Sequence, residues 1–116
     1  MKRPGTVALL RFPRGEGELG KRWPVLLLAP VPGRGNAWLV CALSTHVHQA
    51  VEGFDEVISG DDADFEGSGL KIPSAIRIGR LAVVAGELLE GSIGAISEDR
   101  LRRIRARLQR WIGSGD

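Results

Sequence analysis

Apolar residues run along this chain in short blocks punctuated by glycine and proline, and their period changes only near the C-terminus. Residues 6–12 (TVALLRF) lie between Gly5 and Pro13 and read as a β-strand, since β-branched and aliphatic side chains are gathered between two breakers. Residues 24–29 (PVLLLA) predict a second strand, closed by Pro30, Pro32, Gly33 and Gly35. Residues 37–43 (AWLVCAL) predict a third, too continuously apolar for a strand that faces water on one side. These two form a hairpin with a long tip at residues 30–36. Val57-Ile58 predicts a brief strand, residues 74–78 a strand after Pro73, and residues 81–84 another beyond a break at Gly79. Five or six short strands at this turn-rich spacing predict a small barrel.

Near the end of the chain the period lengthens. Leu101, Ile104, Leu108, Trp111 and Ile112 fall at i, i+3, i+7, i+10 and i+11, one apolar stripe on a helix over residues 98–112. Ser97 is placed to cap it, Glu98 and Asp99 put negative charge where the helix dipole favours it, and Gly113 supplies the stop. No repeat interrupts this plan. The fold class is therefore mainly β with a C-terminal helix, in a single domain spanning residues 1–116.

Composition narrows the class. Hydrophobic residues at 43% and charged residues at 26% are a globular balance, which excludes a wholly disordered chain. The lone cysteine, Cys41, excludes an internal disulfide and a four-cysteine zinc site, and is expected to pack on its apolar strand. No apolar stretch is long enough for a signal peptide or a membrane span, which predicts a cytoplasmic protein without a membrane partner.

The net charge of +2 hides an asymmetry. Seven acids (Glu52, Asp55, Glu56, Asp61, Asp62, Asp64, Glu66) stand in a stretch with no Lys or Arg, so the remainder carries sixteen basic residues against seven acidic ones. A basic body of this kind suits a polyanion or a strongly acidic protein; the plainer alternative is solvated faces beside a solvated loop. The helix carries Arg100, Arg102, Arg103, Arg105, Arg107 and Arg110, which read first as a solvated face around the core stripe and second as phosphate-binding cations.

Three short motifs fail on context. Gly15-x-Gly17-x-x-Gly20 lacks the following helix whose amides would hold a pyrophosphate, because Lys21-Arg22-Trp23-Pro24 leads into a strand; it reads as a loop. Asp62-x-Asp64-x-Glu66-Gly67 begins like a calcium loop, but its twelfth position is Pro73, and a solvated acidic loop is the simpler reading. His46-x-His48 would point two imidazoles to one face of a strand, with no third ligand at a readable spacing. No nucleophile elbow of the Gly-x-Ser-x-Gly kind is present, and neither a metal nor an organic cofactor is implied.

Four segments, taken in order, resemble the MazF/PemK family of toxins from type II toxin-antitoxin systems. Gly5-Thr-Val-Ala-Leu-Leu-Arg-Phe-Pro13, the glycine-rich loop and Gly20-Lys-Arg-Trp-Pro-Val-Leu-Leu-Leu28 resemble the family's opening. The third strand running into Leu43-Ser44-Thr45 is similar to its second signature, and Gly69-Leu-Lys-Ile-Pro-Ser-Ala-Ile-Arg77 to its third. Ile93-Gly-Ala-Ile-Ser97, followed by Leu101 and Ile104, is similar to its closing segment and helix. The resemblance implies an SH3-like barrel, a homodimer, and a metal-independent endoribonuclease acting on single-stranded RNA. It also implies a cognate antitoxin whose acidic, partly disordered tail occupies the RNA groove.

Carried over residue by residue, the resemblance implies Ser44 at the family's catalytic threonine column and Arg77 at an arginine used by some members. Arg22 is then the catalytic arginine nearest Pro24, with Lys21, Trp23, Thr45 and His46 as RNA-binding neighbours. Two positions depart from the pattern: Trp23 stands directly before Pro24, where the family has its arginine, and Gly79 stands where some members carry an acid. A one-residue shift in a strand reverses the face, so Arg22 reaches the groove only if the loop end turns it there. RNA brings its own nucleophile, the 2′-hydroxyl, so the protein needs only to orient it and stabilise charge on the phosphate. His46 is the acid/base candidate, since imidazole changes charge near neutrality, and its plainer reading is an exposed histidine. Trp23 stacks on a base or lids the loop. Two further functions stay open beside the toxin: a relative that has lost cleavage and binds RNA or protein, and an unrelated peptide-binding SH3-like module.

Overall fold

The computed structural model describes residues 2–11, 21–33 and 35–114. Six strands, β1 (Thr6–Arg11), β2 (Arg22–Pro30), β3 (Ala37–Ser44), β4 (Glu56–Ile58), β5 (Ser74–Ala85) and β6 (Leu89–Ala95), form one antiparallel sheet in the order β4-β5-β3-β2-β1-β6. A one-turn helix α1 (Phe65–Ser68) and the longer α2 (Glu98–Ile112) complete it, with 3-10 turns at Val47–Gln49 and Gly86–Leu88. The segment read as Gly15-x-Gly17-x-x-Gly20 lies outside the described residues. Among the described residues no helix is long and apolar enough to cross a membrane.

The central strands are continuously apolar because both of their faces are covered. On one side Val7, Leu26, Leu28, Cys41, Leu43 and Ile76 pack with Ile104 of α2. On the other, Ala8, Leu10, Val25, Leu27 and Val40 are closed over by Trp38, Val84 and Leu89. The long strand β5 serves both cores, sending Ile76 and Ile78 to the helix side and Val84 to the other. It changes sides through a bulge: Arg77 pairs with Ala42 and Leu81 with Cys41, so Ile78, Gly79 and Arg80 are inserted opposite a single step of β3. The break expected at Gly79 is thus a bulge inside one continuous strand. As expected, the fold is mainly β with a C-terminal helix; its edge strands, β4 and β6, are not paired with each other among the described residues.

Strand β6 carries little strand signal in the sequence, and the reason is steric. A Cβ on Gly94 would collide with the backbone of Gly67 and Ser68, where α1 abuts the strand, and Gly91 adopts φ 152°. Gly94 admits the neighbouring turn, and Gly91 supplies a backbone conformation that other residues rarely adopt.

Helix α2 spans the expected residues. The Arg100 amide donates to Ser97 Oγ at 3.1 Å, which is the expected cap, and the Gly113 amide closes the far end on the Gln109 carbonyl at 2.8 Å. Ile104 is fully buried, while Trp111 and Ile112 at the end of the stripe stay largely exposed, Trp111 edge-on to Phe54. The solvated readings hold for Arg102, Arg103, Arg105 and Arg110 of the helix and for Asp61 and Glu66 of the loop, which are exposed, and are corrected for other members of both groups. Arg100 is buried and reaches Glu56 Oε1 at 2.8 Å, Asp64 Oδ2 at 2.8 Å and Asp62 Oδ2 at 3.2 Å. Arg103 and Arg107 also pair with Glu56, at 3.0 and 2.9 Å. Glu56, Asp62 and Asp64 of the acid-rich stretch are the counter-charge that docks α2, because a charge leaving water must meet an opposite one.

Candidate functional site

Directly paired residues of an antiparallel sheet share a face, so the register assigns each candidate to a side. Trp23 pairs with Leu10, Val25 with Ala42, Ala42 with Arg77, and Ser44 with Ala75. Trp23, Val25, Ala42, Ser44 and Arg77 therefore share the face turned away from α2. Ala82 pairs with Val40 on that same face, and Arg80, the last residue of the bulge, lines the same cleft. A cleft of about 330 Å³ opens here, with Leu10, Val25 and Ala42 in its lining and Trp23 and Arg80 at its walls.

Ser44 closes β3 at the end of this face. Its Oγ accepts the His46 amide at 3.1 Å, which leaves the hydroxyl proton available to a ligand. Arg77 is its diagonal neighbour across the strand pair, about 7–8 Å away by the ordinary sheet spacing. The guanidinium of Arg77 donates from Nε to Asp55 Oδ2 at 3.0 Å. Thr45 and His46 are exposed just past the strand. His46 and His48 sit at a 3-10 turn rather than on a strand, their rings edge to face with centroids 5.9 Å apart.

Arg22 is placed differently. It pairs with Arg11, one step out of phase with Trp23, and so faces the opposite side of the sheet. There Glu90 bridges the two, 2.9 Å to Arg22 Nε and 2.7 Å to Arg11 Nε. The strand begins at Arg22 itself, so the loop end does not turn it toward the groove. The structure brings Ser44, Arg77 and Trp23 together on one face, with Thr45 and His46 at its edge. It leaves Arg22 across the sheet, and Lys21 exposed immediately before β2.

Two residues of the site escaped the sequence reading. Arg80 lines the cleft from within the bulge, which no local pattern signals. Asp55 stood in an acid-rich run, and its role appears only once β4 is laid against β5. Cys41 is buried, and burial together with the charge of Asp55 pushes its thiol up to about 12, so it packs and does not react. Among the described residues no cluster of three or more His, Cys, Asp or Glu could hold a metal ion.

The chain is an antiparallel sheet backed by one C-terminal helix. Solved structures share this fold over nearly their whole length. The MazE-MazF complex of Deinococcus radiodurans matches with a TM-score of 0.67 at 18% identity, covering 97% of this chain and 96% of that one. The Mycobacterium tuberculosis toxin MazF-mt6 matches at 0.65 and 16%, covering 93% and 96%. An endoribonuclease in complex with its cognate antitoxin from a mycobacterial species matches at 0.67 and 12%, covering 97% and 96%. A search of the curated proteins finds no significant match. The model of the PemK-like, MazF-like toxins of type II toxin-antitoxin systems matches residues 3–112, and the chain belongs to that family.

Proposed function

We propose that this protein is a toxin-type endoribonuclease that cleaves single-stranded RNA without a metal, acting as a homodimer and held in check by a cognate antitoxin with an acidic tail. The observation that carries the reading is the shared face: the register puts Ser44 and Arg77 on the same side of the sheet as a cleft lined by Trp23 and Arg80. The 2′-hydroxyl attacks the adjacent phosphorus in line, a bond forms from O2′ to phosphorus, and the bond to O5′ breaks. A 2′,3′-cyclic phosphate and a free 5′-hydroxyl result. Arginine holds its proton at neutral pH, so Arg77 and Arg80 stabilise charge on the phosphate oxygens. Ser44 donates its hydroxyl proton to one of them. In this reading His46, whose amide donates to Ser44 Oγ and whose side chain is exposed, takes the proton from O2′ and returns one to O5′. Trp23 stacks on a base, a contact worth about 1–3 kcal/mol.

Purified protein incubated with single-stranded RNA in excess chelator tests this. Fragments ending in a cyclic phosphate are expected, and a 2′-deoxy substitution at the cut site blocks them. RNA left intact under every condition overturns cleavage, and a requirement for added metal overturns the mechanism. A second reading, a barrel that binds RNA without cutting it, is favoured by one observation: Arg22 lies across the sheet on Glu90. Tight, salt-sensitive binding with no cleavage decides for it.

A further inference from the structure

We propose that Asp55 is a positioning residue, which fixes the Arg77 guanidinium so that its outer edge meets an RNA phosphate. This rests on the RNA reading of the groove. The Asp55 side chain is 2% exposed, and three donors converge on it. The Ile78 amide reaches Oδ1 at 2.9 Å, the Val51 amide reaches Oδ2 at 2.9 Å, and Arg77 Nε reaches Oδ2 at 3.0 Å. Ile78 is the first residue of the bulge, so one carboxylate holds both the bulge and the arginine that precedes it. The backbone of Asp55 is itself fixed from α2: Arg107 Nη1 donates to the carbonyls of Phe54 and Asp55 at 3.1 and 2.8 Å.

The geometry leaves a particular part of Arg77 unspent. Its Nε is taken, and among the described residues its Nη1 and Nη2 make no hydrogen bond. The side chain is still 14% exposed, and the register puts Arg77 on the face of the sheet it shares with Ser44. A guanidinium is a planar fork of five donors, so anchoring one edge to a carboxylate aims the other without consuming it. A mobile arginine would lose side-chain entropy on gripping phosphate; one already held by a buried carboxylate loses less.

The test is a double-mutant cycle read as affinity for a single-stranded RNA made uncleavable by 2′-deoxy substitution, with thermal melts alongside. Arg77→Gln is expected to weaken binding about tenfold, the effect of one charge-assisted contact. Asp55→Asn is expected to do nearly the same, and the double variant to bind no more weakly than either single one. A purely structural role for Asp55 instead gives additive losses, and that result overturns the proposal, as does wild-type affinity in Asp55→Asn. Should Asp55→Asn fail to fold, Arg77→Lys decides. It keeps the charge but has no second edge to present, so about a tenfold loss is expected, and wild-type affinity overturns the proposal. Wild-type protein that binds no RNA at all refutes the reading of the groove and this role with it, whereas binding that neither variant disturbs refutes only the role.

Discussion

Arg22 and Trp23 are neighbours in the chain and face opposite sides of the sheet, one clamped with Arg11 on Glu90, the other walling the cleft. A strand's period of two makes that difference absolute, so restoring charge at the groove requires a change at position 23. Trp23→Arg is expected to raise single-stranded RNA cleavage by about 100-fold, the scale of one charge-stabilising donor in a site of this kind. Unchanged turnover in the chelator assay shows that the groove lacks no guanidinium there. Cys41 makes an independent expectation at the same scale. With its thiol near 12 and its side chain inaccessible, iodoacetamide at pH 8 is expected to leave the folded protein unlabelled and to label it fully in denaturant. Ser44 and Arg77 were legible as candidates only through the resemblance to the family, whose motifs they match. Arg80 and Asp55 were not, since a bulge and a pairing between segments more than twenty residues apart decide where they sit.

At the level of elements, α2 and its cap could be read directly from spacing, but the partners of its arginines could not, because they come from a stretch about forty residues upstream. Arg100 is the hub. Replacing it with Met leaves Glu56, Asp62 and Asp64 facing one another with the buried cation gone, and is expected to destabilise the fold by about 3–5 kcal/mol in denaturant titration. Arg102→Ala, which breaks only an exposed pair with Asp99, is expected to cost under about 0.5 kcal/mol. Acid probes the same contact. Burial alone would raise the Asp64 carboxyl, but hydrogen bonds from Arg100 and the Ser97 amide, with the charge of Arg100, outweigh it and bring the group from 3.8 down to about 2. A depressed carboxylate stabilises fully above its unfolded value and loses that contribution as pH falls toward the folded one. Stability is therefore expected to drop between pH 4 and pH 2, and Asp64→Asn to flatten that part of the profile while lowering the plateau above it.

Across the whole molecule, internal pairing changes what the charge asymmetry means. Arg11 and Arg22 are met by Glu90, Arg77 by Asp55, Arg100, Arg103 and Arg107 by the acid-rich stretch, and Arg102 by Asp99. Seven basic residues are thus paired internally, while among the described residues Lys2, Arg3, Lys21, Lys71, Arg80, Arg105 and Arg110 make no ion pair. Arg80 lines the cleft and makes no ion pair among the described residues, so its contact with a phosphate displaces a counterion condensed on the RNA. Each phosphate neutralised on a single strand contributes about 0.7 to the slope of log affinity against log salt. Arg80→Ala is expected to lower that slope by this amount, with a weaker affinity and an unchanged melting temperature. Arg103→Ala is expected to do the reverse, lowering the melting temperature because Glu56 loses a partner, and leaving the slope as it was. Fluorescence anisotropy with labelled RNA across a salt series separates the two. An equal loss of slope in both variants means that RNA runs over the helix face, and that the groove beside Ser44 is not where it binds.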